Sequence, residues 1–300
     1  MFENSRFLSC HLFYLFCTVE KPRIFQLETG LRMISEKGIF QRTELLLGTE
    51  IMSEIAHKKV IIFGIGGVGS WCAESLTRSG IRHLTIVDSD RICVTNINRQ
   101  IHATSITVGE VKTDALKKRL LEINPAAEIT SIQKIYNHQN HDFFQLDQYD
   151  YIIDAIDSLG SKIDLIRRAT RTHATFYSSM GASLKIDPTK IKVAEFWDVK
   201  GCPLGSIVRK KIRKGDLPAK EFLCVYSEEM IEPKGSGSSC GTDKCLCPRN
   251  NITNGDPELA DHEWCSQKAV INGTVAHITA IFGFTIAGLL IKDIYNNYKN

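Results

Sequence analysis

Residues 60–70 read Val-Ile-Ile-Phe-Gly-Ile-Gly-Gly-Val-Gly-Ser. Four β-favouring apolar residues lead into Gly64, Gly66, Gly67 and Gly69, and a helical-looking run follows. Glycines let a backbone approach a ligand closely, and free N–H groups at a helix start face an anion. The expected chemistry is phosphate binding. Asp88 and Asp90 stand about 20 residues further on, where an acid suits a ribose hydroxyl pair. Asp90, the further out, is assigned to the ribose, and Asp88 to orienting the loop. Then come Thr95, Asn96, Ile97, Asn98, Arg99 and Gln100. Two amides and a guanidinium in one loop are costly to bury unless something anionic meets them. Lys112 opens a helix, where a cation opposes the macrodipole unless phosphates intervene. Asp154 and Asp157 end another strand, and a carboxylate beside phosphates suits Mg²⁺.

A glycine pattern alone also fits a dinucleotide-binding dehydrogenase. A dinucleotide diphosphate, however, needs no cluster of Arg, Lys and Mg²⁺. A triphosphate about to be cleaved needs those charges to stabilise the transition state and the leaving group. The set therefore favours ATP over a nicotinamide cofactor.

The elements that must position these groups alternate. Strands are expected at 59–64, 83–88, 128–133, 150–155 and 175–178, with helices near 68–79, 109–122 and 162–170. This predicts an α/β, doubly wound, Rossmann-like and largely parallel sheet. Ligands on such sheets sit outside the C-terminal strand ends. Beyond about residue 183, strands at 190–196 and 222–226 are expected to be antiparallel and flank a basic helix. Residues 235–255 read as loop. Residues 275–291 are apolar but interrupted by Thr279, His277 and Thr285, which suits a buried core helix rather than a membrane span.

The chain has 300 residues, 43% hydrophobic and 24% charged, with a formal net charge of +3. No global field argues for nucleic acid, so any such partner needs a local basic patch. Ten cysteines in a chain of this length point to a reducing, cytoplasmic setting rather than a disulfide scaffold. Residues 1–37 are expected to be a poorly ordered extension, with Met33 as an alternative start. Residues 7–17 are apolar but too short to span a bilayer. Residues 38–183 form the nucleotide-binding core, and 184–300 continue the same domain with substrate-binding elements.

Gly64-Ile65-Gly66-Gly67-Val68-Gly69, Asp88-Ser89-Asp90, Asn98-Arg99-Gln100, Lys112 and Asp157 together resemble the ATP-binding core of the ubiquitin-activating-enzyme superfamily, the ThiF/MoeB/HesA group. The resemblance implies that Asp90 holds ribose, that Asn98, Arg99 and Lys112 hold phosphates, and that Asp157 binds Mg²⁺. It gives Arg42 a role across a homodimer, at the partner's ATP. Further stretches are similar to the tRNA threonylcarbamoyladenosine dehydratases: residues 67–71, 76–81, 94–103, 154–158, 186–191 and 224–229. That similarity implies ATP-dependent activation of the threonyl carboxylate on a tRNA adenosine beside the anticodon, followed by cyclisation.

The alternative is adenylation of the C-terminus of a sulfur-carrier protein, and the resemblance also admits sulfur-relay proteins as partners. Many carrier activators hold zinc in two CxxC pairs. Here Cys240, Cys245, Cys247 and Cys265 are irregularly spaced, and whether they bind a metal stays open. Arg209, Lys210, Lys211, Arg213 and Lys214, with Ile207, Val208 and Ile212 as an apolar side, favour the tRNA reading, because an RNA backbone offers phosphates for them to meet.

Overall fold

The computed structural model describes residues 24–25, 34–235 and 272–299. Most of the expected N-terminal extension, and Cys240, Cys245, Cys247 and Cys265, lie outside the described residues. Within it, β1 (Ile24–Phe25) pairs antiparallel with β2 (Ile34–Ser35). The helices α1 (Glu36–Leu47) and α2 (Thr49–His57) follow and lead to the sheet.

The sheet and its crossovers are β3 (Lys59–Phe63), α3 (Gly69–Arg78), β4 (His83–Val87), α4 (Lys112–Ile123), β5 (Glu128–Ile132), β6 (Tyr151–Asp154), α5 (Leu159–Ala169) and β7 (Thr175–Ser179). Then come β8 (Ile191–Glu195), α6 (Pro203–Ile212), β9 (Leu223–Ser227) and α7 (Ala276–Lys299). Strand order is β5-β4-β3-β6-β7-β9-β8. The order reverses direction at β3, which is the topological switch point of a doubly wound sheet. The expectation of antiparallel C-terminal strands resolves into one: β9 is parallel to β7, and β8 alone runs antiparallel, at the edge.

Both faces of β3 are apolar, so the strand is buried on both sides. Val60 and Ile62 enter one core with Leu76 of α3, Leu116 of α4 and Phe282 of α7. Ile61 and Phe63 enter the other with Ile166 of α5 and Val208 of α6. The two-residue period of a strand thus divides one sequence run between two helix layers. Helix α7 is long and apolar enough, by length and composition, to cross a membrane. Here Ile278, Phe282, Ile286 and Leu290 are fully buried in the first core, as expected of a core helix.

Strand β6 was expected to end at 155 with two available carboxylates. It ends at Asp154, and that side chain has no exposure. Lys162 of α5 donates to Asp154 at 2.6 Å, and the Ser178 hydroxyl donates to the same oxygen at 2.6 Å. Lys162 also donates to the Ser179 carbonyl at 2.9 Å. Asp154 is therefore an internal tie between β6, α5 and β7, not a metal ligand. Removing one partner of a buried ion pair leaves an uncompensated charge and costs about 3–5 kcal/mol. Lys162→Met is expected to lower stability by about that amount, read as a fall in the urea midpoint. The double variant Asp154→Asn/Lys162→Met is expected to recover most of it. A single variant as stable as the parent would refute the structural role.

Candidate nucleotide site

The glycine run turns between β3 and α3 under tight steric limits. Gly64 has a φ of +82, in the left-handed region, and a Cβ there would lie 2.7 Å from the Ala155 carbonyl oxygen. A Cβ on Gly69 would lie 1.9 Å from the Gly64 carbonyl oxygen. Any side chain at 69 would push the turn open. A Cβ on Gly67 would meet Thr279 of α7 at 3.0 Å, and one on Gly66 would meet the Gln100 amide at 3.7 Å.

Asp88, one residue past β4, holds this turn in place. Its carboxylate accepts the Ile65 N–H at 3.0 Å and the Asp90 N–H at 2.9 Å. Burial raises its pKa, and the Lys112 cation opposes that shift. Lys112 donates to Asp90 at 2.6 Å and lies 3.8 Å from Asp88. The Lys112 side chain is only 6% exposed, yet its pKa is raised, because the two carboxylates outweigh desolvation. A cation at the start of α4 is thus balanced by Asp88 and Asp90, where phosphate alone had been expected to explain it.

The loop after β4 is folded on itself. Asn96 is buried, and its side-chain oxygen accepts the Cys93 N–H at 3.0 Å, closing a short 3-10 turn. Asn98 is exposed and donates to the Thr274 carbonyl at 3.0 Å, just before α7. The Arg99 guanidinium donates to the Thr95 carbonyl at 2.7 Å and to Asn98 at 2.9 Å. Burial lowers its pKa, while Asp157 and Cys93 act in the opposite direction. Asp157 is exposed, three residues beyond the end of β6, and its charge acts on both Arg99 and Lys112.

The structure therefore gathers Gly64, Gly66, Gly67, Gly69, Asp88, Asp90, Asn98, Arg99, Lys112 and Asp157 around the C-terminal ends of β3, β4 and β6. Two expected groups stay apart from them. Arg42 is exposed on α1. Arg209, Lys210, Lys211, Arg213 and Lys214 lie on and just after α6, across the sheet at the β8 edge. There Val208 and Ile212 are buried, but Ile207, expected on the same apolar side, is 47% exposed.

Four residues have neighbours that motif spacing did not reveal. The Trp71 indole N–H donates to the Arg99 carbonyl at 2.9 Å, fastening the arginine loop to α3. Gln100 is buried beside Gly66, and its side-chain oxygen has no protein partner. Thr279 and Thr274 bring the C-terminal segment against the glycine turn and Asn98. Only a tertiary contact across more than 170 residues reveals these.

The comparisons agree with this geometry. The model of the ThiF family matches residues 40–299. A tRNA threonylcarbamoyladenosine dehydratase of Bacillus subtilis is 37% identical over 63% of this chain and 74% of its own length. One from Escherichia coli is 32% identical over 85% of this chain and 92% of its own. A solved structure of Escherichia coli tRNA N6-threonylcarbamoyladenosine dehydratase, TcdA, in complex with ATP, superposes with a TM-score of 0.72 at 28% identity, covering 88% of this chain and 96% of that one. The chain belongs to the ThiF family, among its tRNA threonylcarbamoyladenosine dehydratases.

Two outcomes test the site's construction. Gly69→Ala is expected to weaken ATP binding by about tenfold or more, measured by calorimetry, because the turn must open. Gly160→Ala, where a Cβ meets nothing, is expected to leave it unchanged. His102, two residues beyond Gln100, is 3% exposed, with neither ring nitrogen hydrogen-bonded. Burial, with Lys112 and Arg119, pushes its pKa down to about 3 from 6.5. The folded protein thus keeps His102 neutral where the unfolded chain protonates. Its contribution is fully present above pH 6.5 and is lost as pH falls toward 3, by about 2 kcal/mol at pH 5. Urea midpoints measured between pH 7.5 and 5 should fall less steeply in His102→Gln than in the parent.

Proposed function

We propose that this chain is an ATP-dependent tRNA threonylcarbamoyladenosine dehydratase of the cytoplasm. The observation that carries the reading is the convergence of Arg99, Lys112 and Asp157 on a glycine turn at the strand ends, in a chain aligned along most of its length with dehydratases. Adenylation of a sulfur-carrier C-terminus is not favoured by these relatives, although sulfur-relay proteins fit as further partners.

In this reading Gly64, Gly66, Gly67 and Gly69 present backbone N–H groups to the ATP phosphates. Asp90 faces the ribose, and Asn98, Arg99 and Lys112 face the phosphates. Lys112 is poised for this because ribose binding to Asp90 would compete for its present partner. Asp157 fits Mg²⁺, which takes one or two carboxylates and completes its shell with phosphate oxygens and water. When bound, Mg²⁺ supplies charge neutralisation on the phosphates.

The threonyl carboxylate oxygen attacks a phosphorus of ATP and expels pyrophosphate from the α-position or ADP from the γ-position. The carbamoyl group, already on the same nucleoside, then attacks the activated carbonyl and displaces the phosphoryl or adenylyl group. The ring closes with net loss of water. Holding both reactants on one molecule makes the second step intramolecular.

We infer a homodimer in which Arg42 reaches the partner's ATP. What supports it is the surface around Arg42. Leu45 and Leu46 are 82% and 79% exposed, next to a groove of about 430 Å³ lined by Leu47, Phe284 and Ile291. Contiguous exposed apolar surface of this kind marks interfaces.

Purified protein, incubated with ATP, Mg²⁺ and tRNA carrying threonylcarbamoyladenosine, is expected to yield the cyclic nucleoside by mass spectrometry. AMP with pyrophosphate would place attack at the α-phosphorus, and ADP with phosphate at the γ-phosphorus. Asp157→Asn is expected to reduce turnover by about a hundredfold, with ATP consumption reduced in step. Undiminished turnover would remove Asp157 from the site, and an unchanged nucleoside with the parent protein would overturn the function.

A further inference from the structure

The chain leaving β8 builds a second concave site that the ATP machinery does not use. Trp197, 36% exposed, borders a cavity of about 570 Å³ together with Lys200, Arg209, Lys210, Arg213 and Lys214. The Arg213 guanidinium sits over the indole, 5.3 Å from the ring centroid. Arg209 is anchored by donating to the Phe196 carbonyl at 3.3 Å. The indole is itself held edge-on by Phe196, with centroids 4.9 Å apart.

Glu195 accepts the backbone N–H of Trp197 at 2.6 Å, Asp216 pairs with Arg171 at 3.0 Å, and Asp198 is the exposed carboxylate beside the indole, outnumbered by the five cations. A ring of cations around a planar aromatic group suits one ligand chemistry above others. Unpaired bases stack on aromatic side chains and on guanidinium planes, and cations beside them meet the phosphates. An acidic peptide would use the cations but has no need of the indole.

We propose that this cavity seats an unpaired nucleotide of the RNA substrate away from the modified adenosine. The proposal rests on the dehydratase reading and names how the same tRNA is held. Strand β8 lies four strand spacings from β3, about 19 Å across the sheet. Because β8 runs antiparallel, Phe196 and Trp197 lead away from the strand ends that carry the glycine turn. The cavity thus lies at the opposite strand ends from the glycine turn, and a nucleotide seated here is not adjacent to the one activated at ATP.

The test is binding of a synthetic RNA hairpin with the anticodon loop sequence, compared with a fully paired hairpin of equal charge. Trp197→Ala is expected to raise the Kd for the looped hairpin, and the KM for tRNA, by about tenfold or more. Affinity for the paired hairpin, ATP affinity and kcat should be unchanged. Trp197→Tyr should retain most of the looped-hairpin affinity. If Trp197→Ala fails to fold, Trp197→Leu is expected to produce the same selective loss. Looped-hairpin affinity unchanged by these substitutions in a protein that still converts tRNA would overturn the cavity's role and leave the dehydratase reading intact. Equal loss for a poly-glutamate peptide would show an anion site instead and also overturn it. A parent protein that binds ATP but neither binds the hairpin nor converts tRNA would bring down both.

Discussion

A chain of short polar contacts runs from the glycine turn to the start of α4, and the candidate site depends on it. Asp88 grips the Ile65 and Asp90 N–H groups, and Asp90 takes the Lys112 ammonium at 2.6 Å. The turn, the end of β4 and the start of α4 are thereby fixed to one another before any ligand arrives. Such preorganisation is what lets charged groups stabilise a developing charge without first rearranging. It also sets an order of exchange. In the proposed reading, a ribose at Asp90 would compete with the cation that the phosphates then meet.

A parallel arrangement fixes the other side. Asp154, buried at the end of β6, is shared between Lys162 and Ser178. It anchors the strand end from which the chain continues to the exposed Asp157. The two acids, separated by two residues, play opposite parts because one faces the interior and one faces solvent. A low-dielectric setting makes the first an obligate ion pair, whereas the second stands exposed near Arg99 and Lys112.

The sheet was legible because its strands are short β-branched runs and its helices have regular apolar spacing. The glycine turn, Asp90, Arg99 and Lys112 were legible because each falls at an expected strand end or helix start. What escaped were facts of partnership. Periodicity places Lys162 on a helix but cannot say that it turns inward to Asp154. Trp71 reads as one more apolar residue until its N–H is seen on the Arg99 carbonyl. The basic residues after β8 were visible as a cluster, yet their distance from the glycine turn follows only from the antiparallel direction of β8.

Helix α7 gives the molecule an unusual timetable. Gly283 packs so closely on α3 that a Cβ there would lie 2.5 Å from the Val68 carbonyl oxygen, and Thr279 and Thr274 abut the glycine turn and Asn98. The glycine turn and Asn98 lie more than 170 residues before the segment that walls them. During synthesis every strand of the sheet leaves the ribosome before this wall exists. A chain interrupted before α7 would carry its phosphate turn without the wall that Thr279 and Gly283 build against it.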